Sequence, residues 1–217
     1  MKRIFLFSLA ALVLFISACT KDVIRGGGST STRTMNLPEF SAIESHYDIS
    51  AQIVYGTEQE VSVTGYDNLL NILDFKVENG VLKMMYDKDY ESIRNGNIVA
   101  TIKIPMINKV TIHGSQNVSL SNFTGNTLNA KIHGSGKIEI NNSTYQSAFL
   151  DIYGSGDIDA QTLQTKQAET NIHGSGDISV AVSDHIKANI YGSGNVYYWG
   201  NPVIETEQHG SGRVIKR

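Results

Sequence analysis

Four histidines and two tyrosines hold one place in a phrase that the sequence repeats: His113, His133, Tyr153, His173, Tyr191 and His209, each followed by Gly-Ser. Imidazoles at a repeated spacing suggest a borderline metal, but metal ligands must converge on a point, whereas a repeat spreads them along a line. The interleaved tyrosines leave His113/His133 as the one useful pair, so the expectation is ring-on-ring packing with no metal and no cofactor. A strip of exposed rings could also take sugar rings, which makes these six residues a candidate ligand-binding ladder.

Other chemistry is weaker. After the phrase, the outward positions read Asn117, Lys137, Asp157, Asp177, Asn195 and Arg213. Asp157, Asp159 and Asp177 could hold calcium, but the nonapeptide pattern of calcium-binding rolls is absent, and Lys137 and Glu139 stand beside them. A solvated face of mixed sign is expected instead. Gly-Ser-Gly invites comparison with phosphate loops; those need a helix start after the glycines, and a strand follows every copy here. Enzymes on elongated β scaffolds concentrate acids and bases on a few coils beside long loops. These coils are short and uniform, and the serines read as turn residues, so no catalytic site is expected.

The elements that position these residues follow from the repeat. Its copies begin at Ile112, Ile132, Ile152, Ile172, Ile190 and Gln208, so the interval is 20 residues for three steps and 18 for two. Such a period marks a solenoid whose coils bury their apolar faces only against each other. Alternation assigns the inward pairs before the corner as Val110/Ile112, Ala130/Ile132, Leu150/Ile152, Thr170/Ile172, Ala188/Ile190 and Thr206/Gln208. After it they are Val118/Leu120, Ile138/Ile140, Ile158/Ala160, Ile178/Val180 and Val196/Tyr198. A left-handed hexapeptide helix would need aliphatic residues where the chain has Thr124, Thr144, Gln164, Asp184 and Pro202. The fold class is therefore all-β, a right-handed parallel β-helix with coils of 18–20 residues.

Residues 34–217 form a single domain in this reading, with irregular N-terminal strands over 34–106 that continue the solenoid or cap its first coil, and regular coils over 107–217. Ile49/Ala51/Ile53 and Val61/Val63 alternate as strands, and Asn79-Gly80 suits a hairpin turn between Phe75–Val77 and Val81–Met84. Asp67 is placed as the N-cap of a short helical turn. Residues 87–97 read as a loop before a strand over 98–104.

Upstream, Lys2 and Arg3 precede an apolar run from Ile4 to Ile16, the length of a signal-peptide core. It ends at Ser17-Ala18-Cys19, which resembles a lipobox. The expectation is a lipoprotein signal peptide over 1–18, lipidation of Cys19, the one cysteine of the chain, and a flexible linker over 19–33 rich in Gly and Ser. Thr20 rather than Asp after the cysteine favours an outer-membrane lipoprotein, periplasmic or surface-exposed. A net charge of −3 gives no reason to expect nucleic acid.

The Gly-Ser-Gly ladder, Phe40-Ser41-Ala42-Ile43, Val81-Leu82-Lys83-Met84 and Ile102-Lys103-Ile104-Pro105 together resemble the bacterial family described as putative auto-transporter adhesin, head GIN domain. The resemblance implies a β-helix at the cell envelope with a role in adhesion and no established catalytic site. It transfers no functional residue. The expected function is non-catalytic binding of a glycan or cell-surface protein. The alternatives are a carbohydrate-active enzyme on the same scaffold and a structural module that self-associates into a homo-oligomer through its C-terminal coil.

Overall fold

The computed structural model describes residues 22–88, 90 and 92–217, and the architecture is the parallel β-helix expected from the repeat. One coil shows how it is built. The strand Thr124–Gly134 runs into the Gly-Ser-Gly corner, Lys137–Asn141 forms the second side, Asn142-Ser143 turns the chain again, and Thr144–Gly154 starts the next coil. Successive coils pair in parallel and in register, so His113, His133, Tyr153, His173, Tyr191 and His209 are neighbours in turn.

The inward columns are as the alternation predicts. Val110, Ile112, Ile132, Ile152, Ile172, Ile138, Ile158 and Ile178 are all buried, joined on the third side by Leu128, Ala148, Ala168 and Ile186. β-Branched side chains fit this pleated interior, and each fully buried Ile contributes about 2 kcal/mol relative to an exposed one. The expected pair Thr206/Gln208 differs: both are exposed, because they lie on the strand Val203–Gly210, whose one parallel neighbour is Ile178–Gly192.

Glycine is required at the corner for two reasons at once. Gly134 has φ 136°, and a Cβ there would lie 2.2 Å from the Gly114 carbonyl oxygen of the coil before. Gln116 replaces the second glycine in the earliest Gly-Ser copy; its side chain turns inward and donates to the Ser45 carbonyl at 2.8 Å.

That bond reveals a coil the repeat did not announce. The strand Ala42–Tyr47 pairs in parallel with Lys109–Gly114, and Ile49–Tyr55 with Asn117–Ser121, which sets Ile43 beside Val110 and His46 beside His113. Val81–Tyr86 and Ile98–Ile104 continue the stack in parallel. Beyond them the pairing turns antiparallel, through Leu73–Glu78 on one side and Glu60–Tyr66 then Thr30–Met35 on the other. The N-terminal strands thus both extend the solenoid and cap it. The hairpin turns at Asn79 and Gly80, φ 52° and 74°, as its Asn-Gly pair requires.

Three local expectations are corrected. The linker assigned to residues 19–33 is structured from residue 22 onward: Val23–Arg25 pairs with Ser92–Arg94, and Thr30–Met35 is a sheet strand, so the folded body begins upstream of residue 34. Alternating threonines explain it, since Thr32 and Thr64 join their hydroxyls at 2.8 Å across the pair. The 87–97 loop contains the strand Ser92–Arg94. The short helix is Asp67–Leu70, but its N-cap is Tyr66, and Asp67 instead accepts a hydrogen bond from the Ser31 hydroxyl. The segment expected to be a signal peptide, residues 1–18, and the expected lipidation site Cys19 lie outside the described residues.

Candidate functional site

The six ladder residues come together as one stack, and a seventh ring extends it. From His46 through His113, His133, Tyr153, His173 and Tyr191 to His209, ring centroids are 4.6–5.2 Å apart and planes lie within 11° of parallel. The cause is the register: identical strand positions at the interstrand spacing leave planar side chains no better packing than face to face. Between the two ends, ring faces are therefore covered by other rings, and ring edges meet solvent. A platform for stacking sugar rings, the sharper expectation for these residues, needs open faces, so this strip can offer ligands hydrogen bonds along its edge instead.

Sequence reasoning missed His46 because the phrase around it has no glycine. The surviving signal is Ile43-Glu44-Ser45-His46 against Val110-Thr111-Ile112-His113, with a small or aliphatic residue five places after each His, Ala51 and Val118.

Carboxylates flank both ends of the stack. Glu44 Oε1 lies 2.9 Å from His46 Nε2 and 3.4 Å from His113 Nε2. Partial burial, then the neighbouring His46, holds the His113 imidazole below its usual pKa, with Glu44 opposing. At the other end, Glu207 Oε1 lies 3.0 Å from both His209 Nε2 and the Tyr191 hydroxyl. These hydrogen bonds, His209's first, hold the Glu207 carboxyl below the usual range, and the carboxylate raises Tyr191.

The acidic residues after the corner form a capping column. Asp157 Oδ1 accepts from the Asp177 backbone N–H at 2.9 Å, Asp177 Oδ1 from that of Asn195 at 2.7 Å, and Asn195 Oδ1 from that of Arg213 at 3.2 Å. Asp159 accepts from the Gln161 N–H and faces Lys137 at 4.0 Å. Asp157 and Asp177 each serve the next coil's backbone, which spreads them along the axis, while Asp159 serves its own strand.

The second feature is a groove created by the change of coil length. Ala160 pairs with Val180 and Thr165 with Val182, so residues 161–164 have only Ala181 opposite them, and the surface steps inward. A groove of about 460 Å³ opens there, floored by Leu163, Tyr145 and Val182, walled by Ala181 and Trp199, and rimmed by Gln146, Gln164 and Lys166. Tyr145 is 2% exposed and donates its hydroxyl to the Ile107 carbonyl at 2.8 Å, which fixes the floor to an earlier turn. Tyr198 is buried in its expected inward register, while Tyr197 is only half-buried and packs under Arg217, 4.7 Å from guanidinium carbon to ring centroid.

The fold has been seen before. A crystal structure of a putative adhesin from Bacteroides fragilis superposes with TM-score 0.72 at 22% identity, covering 89% of this chain and 99% of that one. A putative lipid binding protein from Parabacteroides distasonis gives 0.60 at 24%, covering 90% and 100%. A putative adhesin from Parabacteroides merdae gives 0.58 at 18%, covering 90% and 99%. At these identities the likeness concerns the fold alone. No curated protein matches the chain. The sequence profile of one family spans residues 39–202, from the first coil to the wall of the groove, and the chain therefore belongs to the family described as putative auto-transporter adhesin, head GIN domain.

Proposed function

We propose that this protein is a non-catalytic adhesion module, carried on the cell envelope by an acylated Cys19, that binds a glycan in the groove beside Trp199. The observation that carries the reading is the composition of that groove. Its partly exposed apolar wall of Ala181 and Trp199, standing over the closed floor of Leu163, Tyr145 and Val182, suits the C–H face of a sugar, and its rim of Gln146, Gln164 and Lys166 supplies donors and acceptors for hydroxyls. Among the described residues no Asp, Glu or His lines it, and the carboxylate pair of glycoside hydrolysis is not among its lining side chains. The family description as an adhesin supports the same class of function.

Trp199 is the one tryptophan of the chain, so its fluorescence reports on this groove. The test is a glycan array followed by fluorescence titration of the selected glycans, with the oligomeric state followed by light scattering. Selective binding that shifts Trp199 emission and is lost in Trp199→Ala, with the β-sheet circular dichroism kept, supports the reading. Binding that Trp199→Ala leaves intact moves the site elsewhere. No glycan binding together with a defined dimer overturns the reading in favour of a self-associating module.

A further inference from the structure

The N-terminal end of the ring stack brings together three side chains of metal-binding type. Among the described residues, Glu44, His46 and His113 are the trio of potential ligands whose atoms all lie within 4.8 Å of one another. Both Nε2 atoms lie near the same carboxylate oxygen, His46's in a hydrogen bond at 2.9 Å and His113's at 3.4 Å, so the three ligand atoms border one small volume. Each side chain keeps about a third or a quarter of its surface in solvent, which leaves the volume open to an ion: 27% for Glu44, 26% for His46 and 36% for His113.

We propose that Glu44, His46 and His113 form a binding site for one divalent transition-metal ion of the Zn²⁺ type. Two imidazoles and one carboxylate are a donor set for Zn²⁺, Co²⁺, Ni²⁺ or Cu²⁺, and a poor one for Ca²⁺ or Mg²⁺, which take oxygen ligands. Three protein ligands leave a position for water or for a group from a binding partner. In a tetrahedral site the two nitrogens stand about 3.4 Å apart, so the parallel rings must tilt toward each other. The end of the stack allows this. Among the described residues His46 has one ring neighbour, His113, whereas each interior ring is held on both faces.

The rest of the ladder explains why the site is local. Two residues before each ring the column reads Glu44, Thr111, Lys131, Asp151, Asn171, Asn189 and Glu207. The next His pair, His113/His133, has Thr111 and the cationic Lys131 in place of a carboxylate. Glu207 repeats the Glu-x-His spacing with His209, but its second neighbour is Tyr191, a phenol that donates to it. The far end thus holds one imidazole instead of two and serves as an internal control.

The test is titration of the tag-free protein with Co²⁺, read by visible absorption, with Zn²⁺ displacement and calorimetry for affinity. One equivalent is expected, with the intense visible absorption of a low-coordinate Co²⁺ site. Glu44→Gln and His46→Ala should each weaken binding by about tenfold or more, while Glu207→Gln and His209→Ala leave it unchanged. His113→Tyr guards against misfolding, because tyrosine already serves the ladder at Tyr153 and Tyr191; it should keep the fold and lose the metal. Absence of stoichiometric binding, or binding that survives His46→Ala and His113→Tyr, overturns the proposal. The groove by Trp199 is untouched by these variants, so glycan binding can fail or succeed independently.

Discussion

The imidazole of His133 and the phenol of Tyr153 lie face to face, centroids 5.0 Å apart and planes 11° from parallel, on strands that pair in register. His133 has a second such neighbour in His113, at 4.9 Å. Aromatic pairs contribute about 0.5–1.5 kcal/mol each beyond burial, and these are half in water, so the low end applies. His133→Ala is expected to cost about 1 kcal/mol in urea unfolding with the m-value unchanged, and His133→Tyr to stay near the wild type. Equal losses for Ala and Tyr would remove stacking as the ladder's structural role.

Corner glycines should be far more sensitive than linker-like ones. At Gly174, φ is 144° and a Cβ would lie 2.0 Å from the Gly154 carbonyl oxygen, backbone that cannot yield without parting the coils. At Gly27 a Cβ meets nothing within 4 Å. Gly174→Ala is therefore expected to cost about 2 kcal/mol or more, and Gly27→Ala to be nearly neutral. Parallel denaturation curves of the two variants check the difference.

The contrast between those two glycines also marks what could be read from the chain. A corner used six times writes its period into the sequence, and Ile132 or Ile158 could be assigned inward from alternation alone. The register of the first coil is hidden because its corner is built differently: Tyr47, φ 61°, stands where Gly114 stands one coil later. A strand insertion between them breaks the period, so His46 carried no repeat signal. The stretch from Thr30 to Arg33 passes for linker because polar, β-branched alternation on a half-exposed capping strand looks like low complexity without its partner Glu60–Tyr66. The groove was illegible for another reason. The step from 20 to 18 residues was visible, but which side of the coil lost the two residues depends on pairing, which placed the shift beside Ala181.

Tyr145 ties that groove to an earlier turn and should make the fold sensitive to alkali. Its ring is 2% exposed, and its hydroxyl donates to the Ile107 carbonyl at 2.8 Å. Burial pushes the phenol well above its ordinary value of 10.0, and no cation stands among the causes to offset it. The folded state therefore holds its proton more tightly than the unfolded chain does. The stabilisation is fully present below about pH 10 and is lost as pH rises from there toward the folded value, because only the unfolded chain releases the proton. In Tyr145→Phe the proton is gone, and the Ile107 carbonyl loses its donor. That variant is expected to be about 1–2 kcal/mol less stable near neutral pH, with a shallower decline above pH 10 than the wild type. Tyr86, also raised by burial, remains in both proteins, so the difference between the two curves isolates Tyr145. Urea midpoints measured at about pH 8 and about pH 10.5 decide it. Parallel declines would show that the Tyr145 hydroxyl exchanges with water in the groove and titrates as an exposed phenol does.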